Sequence, residues 1–191
     1  MTASPRDPEM ITNDVLRSVR YMLDLSDAHV INLMKMADGD SDAVESSPTE
    51  ASPTEASPFE VKPEDVAAWL KKEDEDGFVE CPPLALAHFL DGLVIFRRGK
   101  NENAPTNTPT TAASHNIKNS TINNNVVLKK LRVAFELKEE NLHEIMEAAG
   151  FKISKPEFSA LFRKKGHKNY RACGDQFLRN FLKGLTLCIR G

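Results

Sequence analysis

The chain has 191 residues, 40 % of them hydrophobic and 28 % charged, with a formal net charge of −3, the profile of a soluble globular protein of one large or two small domains. No window approaches the ~18 apolar residues of a membrane helix, and MTASPRDPEM shows no basic stretch leading into an apolar run, so no signal peptide is expected; three cysteines, an odd number, suit a reducing cytosol. The small net charge conceals a split, with residues 123–191 carrying about +7 and everything before them about −10, which suggests an anionic partner for the basic half.

Residues 1–11 are polar with two prolines and predict a disordered lead-in. From Asn13, the expected N-cap, Val15, Leu16, Val19, Met22 and Leu23 recur at helical spacing. Ser26 is placed to cap a second helix with the apolar face Val30, Leu33, Met34 and Ala37. An insert at 38–58 follows, built on SPTEASPTEASP. Its regular prolines forbid a helix and its apolar content is too low for a core, so it predicts a disordered loop. Ser47, Ser52 and Ser57 each precede proline, the context of proline-directed phosphorylation; a neutral repeat expansion explains the same pattern.

A third helix starts at Lys62-Pro63-Glu64-Asp65, with Val66, Trp69 and Leu70 as its apolar face, and a fourth begins near Pro82 with Leu86, Phe89, Leu90 and Leu93. Residues 100–122 are rich in Asn, Thr and Pro and read as a flexible linker. The pattern then repeats. Asn125 restarts it, Val127, Leu128, Leu131, Leu142, Ile145 and Met146 supply the apolar face, and Gly150 stands where a left-handed C-cap belongs. Ser154 to Glu157 form a capping box, and a last helix near Asp175 repeats the apolar face with Leu178, Phe181, Leu182 and Leu185.

Laid without gaps, Phe59–Arg98 matches Phe151–Arg190. Val61 falls on Ile153, Trp69 on Leu161, Cys81 on Cys173, Phe89-Leu90 on Phe181-Leu182 and Gly92-Leu93 on Gly184-Leu185. The stretches NDVLRSVRYMLDLSD, AWLKKEDEDGFVEC, NNNVVLKKLRVAFELKEENLHEIMEAAGF and SALFRKKGHKNYRACGDQFLRNFLKGL resemble the YehS-like family of small bacterial proteins of unknown function. The last of these is the most specific. The insert, the long linker and the N-terminal tail depart from the family pattern. The resemblance implies a duplicated, helical, cytosolic protein and implies no activity.

The densest charge lies in Arg163-Lys164-Lys165-Gly166-His167-Lys168-Asn169-Tyr170-Arg171, which holds five fixed positive charges, an imidazole and an aromatic ring. Lys and Arg neutralise phosphates and Tyr can stack on a base. The matching first-copy positions, Lys71-Lys72-Glu73-Asp74-Glu75-Asp76-Gly77-Phe78-Val79, are mostly acidic. A solvated loop, or an ion pair between the two loops, is the plainer reading. Cys81 and Cys173 precede the fourth helix of each copy, where a helix dipole could activate a thiol beside His167. Since the first copy has Glu75 at the histidine position, a buried packing cysteine is expected instead. Gly92 and Gly184 interrupt helical patterns at a cost of about 1 kcal/mol each, which predicts close helix–helix approach.

Together these features predict an all-α protein, a tandem duplication of a four-helix unit. The first repeat spans 12–99 with its disordered insert, and a flexible linker leads to the basic second repeat at 123–191. The expected function is a non-enzymatic binding module contacting RNA or DNA phosphates through Arg163, Lys164, Lys165, His167, Lys168 and Arg171, with Tyr170 as a stacking residue and Arg179 as support from the last helix. A basic face continuing onto Lys129, Lys130 and Arg132 would favour it. The alternative is a protein–protein adaptor. No cofactor is expected, and no metal, because neither Cys-x-x-Cys nor His-x-x-x-His spacing occurs.

Overall fold

A computed structural model of the chain describes residues 10–38, 61–99 and 122–191; residues 39–58 of the expected insert, residues 100–121 of the expected linker, the three Ser-Pro sites and residues 1–9 of the expected tail lie outside them. Eight helices and no strand occur among the described residues. They are α1 (Thr12–Leu23), α2 (Asp27–Asp38), α3 (Pro63–Leu70), α4 (Pro83–Arg98), α5 (Asn124–Ala134), α6 (Glu139–Ala148), α7 (Lys155–Phe162) and α8 (Asp175–Arg190).

Helix starts follow local chemistry. Ser26 Oγ accepts the His29 N–H at 3.3 Å and caps α2, and the Ser154 N–H and hydroxyl both donate to Glu157 at the start of α7 (3.2 and 2.7 Å). Gly150 ends α6 at φ +77°, with the Phe151 N–H reaching back to the Met146 carbonyl at 2.9 Å. The expected N-cap role of Asn13 is wrong. α1 begins at Thr12 with Ile11 at the N-cap position, where no side chain caps the helix and the Ile11 N–H donates to Asp14 Oδ2 at 3.3 Å, while Asn13 is fully buried inside the helix. The second copy agrees, because Asn123 caps α5 by accepting the Val126 N–H at 3.0 Å and Asn125 is a buried residue of the helix itself.

The duplication is visible in the backbone. Asp24 and Glu136, at matching positions after the first helix of each copy, both adopt φ 53°. Gly92 and Gly184 sit in equivalent helix contacts, where a Cβ would fall 1.6 Å from the Leu33 carbonyl oxygen and 1.8 Å from that of Ile145. Both glycines are thus required by close approach, as their placement in helical patterns predicts.

The chain forms two compact units that divide it differently from the sequence repeats. One joins the N-terminal segment through Asp24 to Asn123–Gly191; the other is Leu25–Ile122. In the latter, α2 packs along α4 with α3 against α2, around Val30, Leu33, Met34, Val66, Trp69, Phe89, Leu90 and Leu93. In the former, α8 contacts α1, α5 and α6, and α7 lies on α5. Helix α1 is fastened to α8 at both ends. The Met10 N–H donates to Asp175 Oδ2 at 3.3 Å, so the expected disordered tail already has order at Met10. At the other end the Arg190 guanidinium lies 4.3 Å from the Tyr21 ring centre. The two helices therefore run in the same direction, and α1 shares a unit with the second repeat because α8 offers it bonds at its first and last turns.

Candidate nucleic-acid interface

The loop from Arg163 to Arg171 leaves α7 and returns to the same point. The Ala160 carbonyl accepts the Arg163 N–H at 3.4 Å and the Arg171 N–H at 3.1 Å. Two turns fill the space between, with His167 N–H to Lys164 carbonyl at 3.0 Å and Tyr170 N–H to His167 carbonyl at 2.8 Å. The first copy makes the same four bonds: Lys71 and Val79 N–H to Ala68 (both 3.4 Å), Glu75 to Lys72 (3.0 Å) and Phe78 to Glu75 (3.1 Å). One backbone frame is thus built from a basic sequence and from an acidic one. The loop's shape does not require its charge.

Two of three consecutive asparagines, Asn124 and Asn125, tie the loop and the residues after it to α5. Beyond the cap made by Asn123, Asn124 Nδ2 donates to the Cys173 carbonyl at 3.2 Å and to Asp175 Oδ1 at 2.6 Å. Asn125 is buried and makes four bonds. Its Nδ2 donates to the carbonyls of Leu161 (2.8 Å) and Arg171 (2.9 Å), and its Oδ1 accepts the Cys173 N–H (2.9 Å) and the Tyr170 hydroxyl (3.1 Å). All its hydrogen-bonding groups are engaged, so both ends of the basic loop are clamped to one side chain. The place of Asn125 at the head of an apolar helical pattern predicts a helix start instead. The available signal was a matched polar residue, Asn13 and Asn125, three residues before Leu16 and Leu128 on the apolar stripe.

The eight expected contact residues separate into groups. Lys164, Lys165, His167 and Lys168 are exposed on the loop. Arg163 is half-buried beside them, its guanidinium 3.3 Å from His167 Nε2. Arg171 is exposed and forms an ion pair with Glu157 at 3.0 Å; the Ser154 hydroxyl and N–H, and then Arg171, hold the Glu157 carboxyl below its ordinary range. The Tyr170 hydroxyl donates to Asn125 Oδ1 at 3.1 Å and the side chain is half-buried. Arg179 lies on α8 rather than on the loop, half-buried and already engaged. Helix α5 adds two cations at the loop's base. Lys129 Nζ lies 3.4 Å from the Arg163 carbonyl, and the Arg132 guanidinium stacks 4.6 Å from the centre of the Phe162 ring. Lys129 thus reaches the first residue of the loop, while Arg132 lies over Phe162 and donates from Nε to the Leu137 carbonyl at 3.2 Å.

The neighbouring thiol is built for packing. Cys173 and Cys81 are both buried and neither is in a disulfide, and burial pushes each thiol up to about 12. His167 is not aimed at Cys173, since Nδ1 accepts the Asn169 N–H at 3.1 Å and Nε2 faces Arg163. A thiolate is the reactive form, so iodoacetamide at pH 7.5 should add one label to the folded protein, on exposed Cys188, and three after denaturation. Intact-mass spectrometry reads the count; rapid labelling of Cys173 in the folded protein would contradict the packing role. Among the described residues no group of three His, Cys, Asp or Glu side chains could hold a metal ion, and no helix is long and apolar enough to cross a membrane.

Residues 53–99 and 124–191 match the family described as "Protein of unknown function (DUF1456)", which takes in α3 and α4 and then α5 to α8. The chain belongs to this family. It is also 40 % identical over 177 residues, 93 % of this chain and 95 % of the relative, to "Uncharacterized protein YehS" of Escherichia coli strain K12. No solved structure matches. The two matched segments of the DUF1456 family fall on the two copies read from the sequence.

Proposed function

We propose that the protein is a non-enzymatic binding module whose second repeat contacts nucleic-acid phosphates through the loop Arg163–Arg171. One observation carries the reading: the two copies build the same loop frame from opposite charge. Residues that the fold does not need, gathered on one exposed loop with Lys129 beside it, are available for a partner, and their sign selects a polyanion. The phosphate contacts are Arg163, Lys164, Lys165 and Lys168, with His167 among them. Arg171 is drawn to Glu157 and Tyr170 to Asn125, so these two shape the loop. The protein is taken to act in the cytosol, where three cysteines stay reduced.

Binding of this kind releases counterions, so its logarithm falls linearly with log salt, with a slope of about −0.7 per phosphate neutralised on a single strand. Fluorescence anisotropy with labelled single- and double-stranded oligonucleotides should give a slope near −3 for four loop cations. Reversing Lys164, Lys165 and Lys168 to Glu should weaken binding at least ~30-fold and flatten the slope by about 2, with the helical circular dichroism unchanged because all three are exposed. No binding of any oligonucleotide at low salt would end this reading in favour of a protein adaptor.

A further inference from the structure

Beside the loop lies an open-sided pocket of about 310 Å³ between α7 and the start of α8. This is the small end of the range for ligand pockets, a size for one planar ring system. Phe151, Ile153, Leu161 and Phe177 form its apolar walls, and its charged lining is Lys152 together with the Arg171–Glu157 ion pair. Phe151 is 37 % exposed and is held edge-to-face against Phe177, ring centres 6.0 Å apart, so an aromatic surface is fixed in place and accessible. Arg171 belongs to both the pocket and the loop, which joins them into one surface.

The pocket is a second place where the copies part, and in the same direction. Trp69 stands in the first copy where Leu161 stands in the second, and Ala85 where Phe177 stands. The second copy has thus exchanged an indole for a smaller side chain and added an aromatic wall. The charge changes too: Glu60 corresponds to Lys152, Val79 to Arg171 and Glu80 to Ala172. Two acids are lost and two cations gained around one apolar hollow, while the acid common to both copies, Asp65 and Glu157, is paired with Arg171 in the second. Such a hollow suits a ligand that is flat and apolar on its faces and carries negative charge on either side. We infer that this pocket is a base-binding subsite for single-stranded nucleic acid, taking one unstacked base against Phe151 while the flanking phosphates lie on Lys152 and the loop lysines. The inference rests on the loop's binding phosphates. It adds that the partner is single-stranded, because a base inside a duplex cannot enter a pocket.

The test uses the full chain and three fluorescein-labelled probes: a thymidylate 12-mer, an abasic 12-mer with the same number of phosphates, and a 12-base-pair duplex. Stacking is worth about 5- to 100-fold per base, so the thymidylate 12-mer should bind about 10-fold or more tighter than the abasic one. Phe151→Ala should erase that ratio and leave abasic binding unchanged. Ala172→Glu, which restores the first copy's acid at an exposed position, should weaken thymidylate binding more than duplex binding. Equal binding of thymidylate and abasic probes, or an unchanged ratio in both variants, overturns the pocket while the loop reading stands. No binding of any probe removes both. Displacement of the thymidylate probe by the peptide Glu-Glu-Phe-Glu-Glu at lower concentration than by unlabelled thymidylate would identify an acidic protein segment as the occupant and also overturn the inference.

Discussion

Gly184→Ala should destabilise the unit containing α6 and α8 by about 4 kcal/mol, despite replacing glycine with the best helix former. Two effects oppose each other. Alanine in a helix interior gains about 1 kcal/mol over glycine. Against that, the new Cβ would lie 1.8 Å from the Ile145 carbonyl oxygen, 2.8 Å from its carbonyl carbon and 3.1 Å from Ile145 Cγ2. A carbon–oxygen contact rests near 3.3 Å, so the helices would have to part by about 1.5 Å. The obstructing atoms are backbone inside a helix and cannot rotate away. Parting α6 from α8 loosens the contacts of Leu142, Ile145, Met146, Leu178, Phe181, Leu182 and Leu185, all buried, and overpacking of this severity exceeds the usual cost of about 1–3 kcal/mol. Gly92→Ala should behave alike, with its Cβ 1.6 Å from the Leu33 carbonyl oxygen, and should shift the emission of Trp69, the chain's one tryptophan. Gly174→Ala is the control, because nothing lies within 4 Å of its Cβ. Thermal denaturation should show Tm lowered by about 10 °C or more for the two tight glycines. A Gly184→Ala protein melting within about 2 °C of wild type would mean that the helix contact is not closely packed.

These glycines show what the sequence makes legible. Gly92 and Gly184 interrupt apolar helical patterns at matching positions, and a residue tolerated twice at a cost has a steric reason that periodicity exposes. The same holds for the helix starts at Ser26 and Ser154, where the capping partner is three residues away, and for the C-cap at Gly150. Cys173 and Cys81 could be read as packing residues because duplication removed the histidine from one of them. Long-range pairing was not legible. Asn125 bonds to groups from Leu161 to Cys173, and no local rule connects an asparagine to a loop so far along the chain. Nor does periodicity say which helix shares a unit with which. α1 carries an ordinary amphipathic pattern, and its attachment to α8 depends on Met10, Tyr21 and Arg190, residues without a distinctive spacing. The charge of the basic loop was plain from the start. Its independence from the loop's shape became evident only when the two backbone frames could be compared.

Asn125→Ala should then be the most informative change near the site. It removes no charge and touches no exposed surface, yet it releases both ends of the loop at once. The Leu161 and Arg171 carbonyls and the Cys173 N–H lose their side-chain partner, and each buried group left unsatisfied costs about 1–3 kcal/mol. Arg171 is exposed, so water can reach its carbonyl once the clamp is gone, and the net loss should be about 3 kcal/mol. That is a large share of a stability that for a domain is only about 5–15 kcal/mol. Asn125→Asp separates the two halves of the clamp. It keeps acceptors for the Cys173 N–H and Tyr170 hydroxyl, loses both donated bonds, and sets a carboxylate against two carbonyl oxygens in a buried position. It should therefore be no more stable than the alanine variant. Urea denaturation gives the stability, and hydrogen exchange gives the location: protection of the Cys173 amide should fall in Asn125→Ala ahead of that of the α8 core around Phe181. Binding should weaken as well, since the lysines of an unclamped loop must be ordered each time a strand is bound, while the salt slope stays as in wild type because no cation has been lost. A change in affinity with the slope preserved distinguishes loss of the clamp from loss of the contacts. If Asn125→Ala left Cys173 amide protection intact, the loop would be held by its turns, Lys129, Asn124 and the Arg171–Glu157 pair, and the buried asparagine would serve packing rather than the shape of the binding surface.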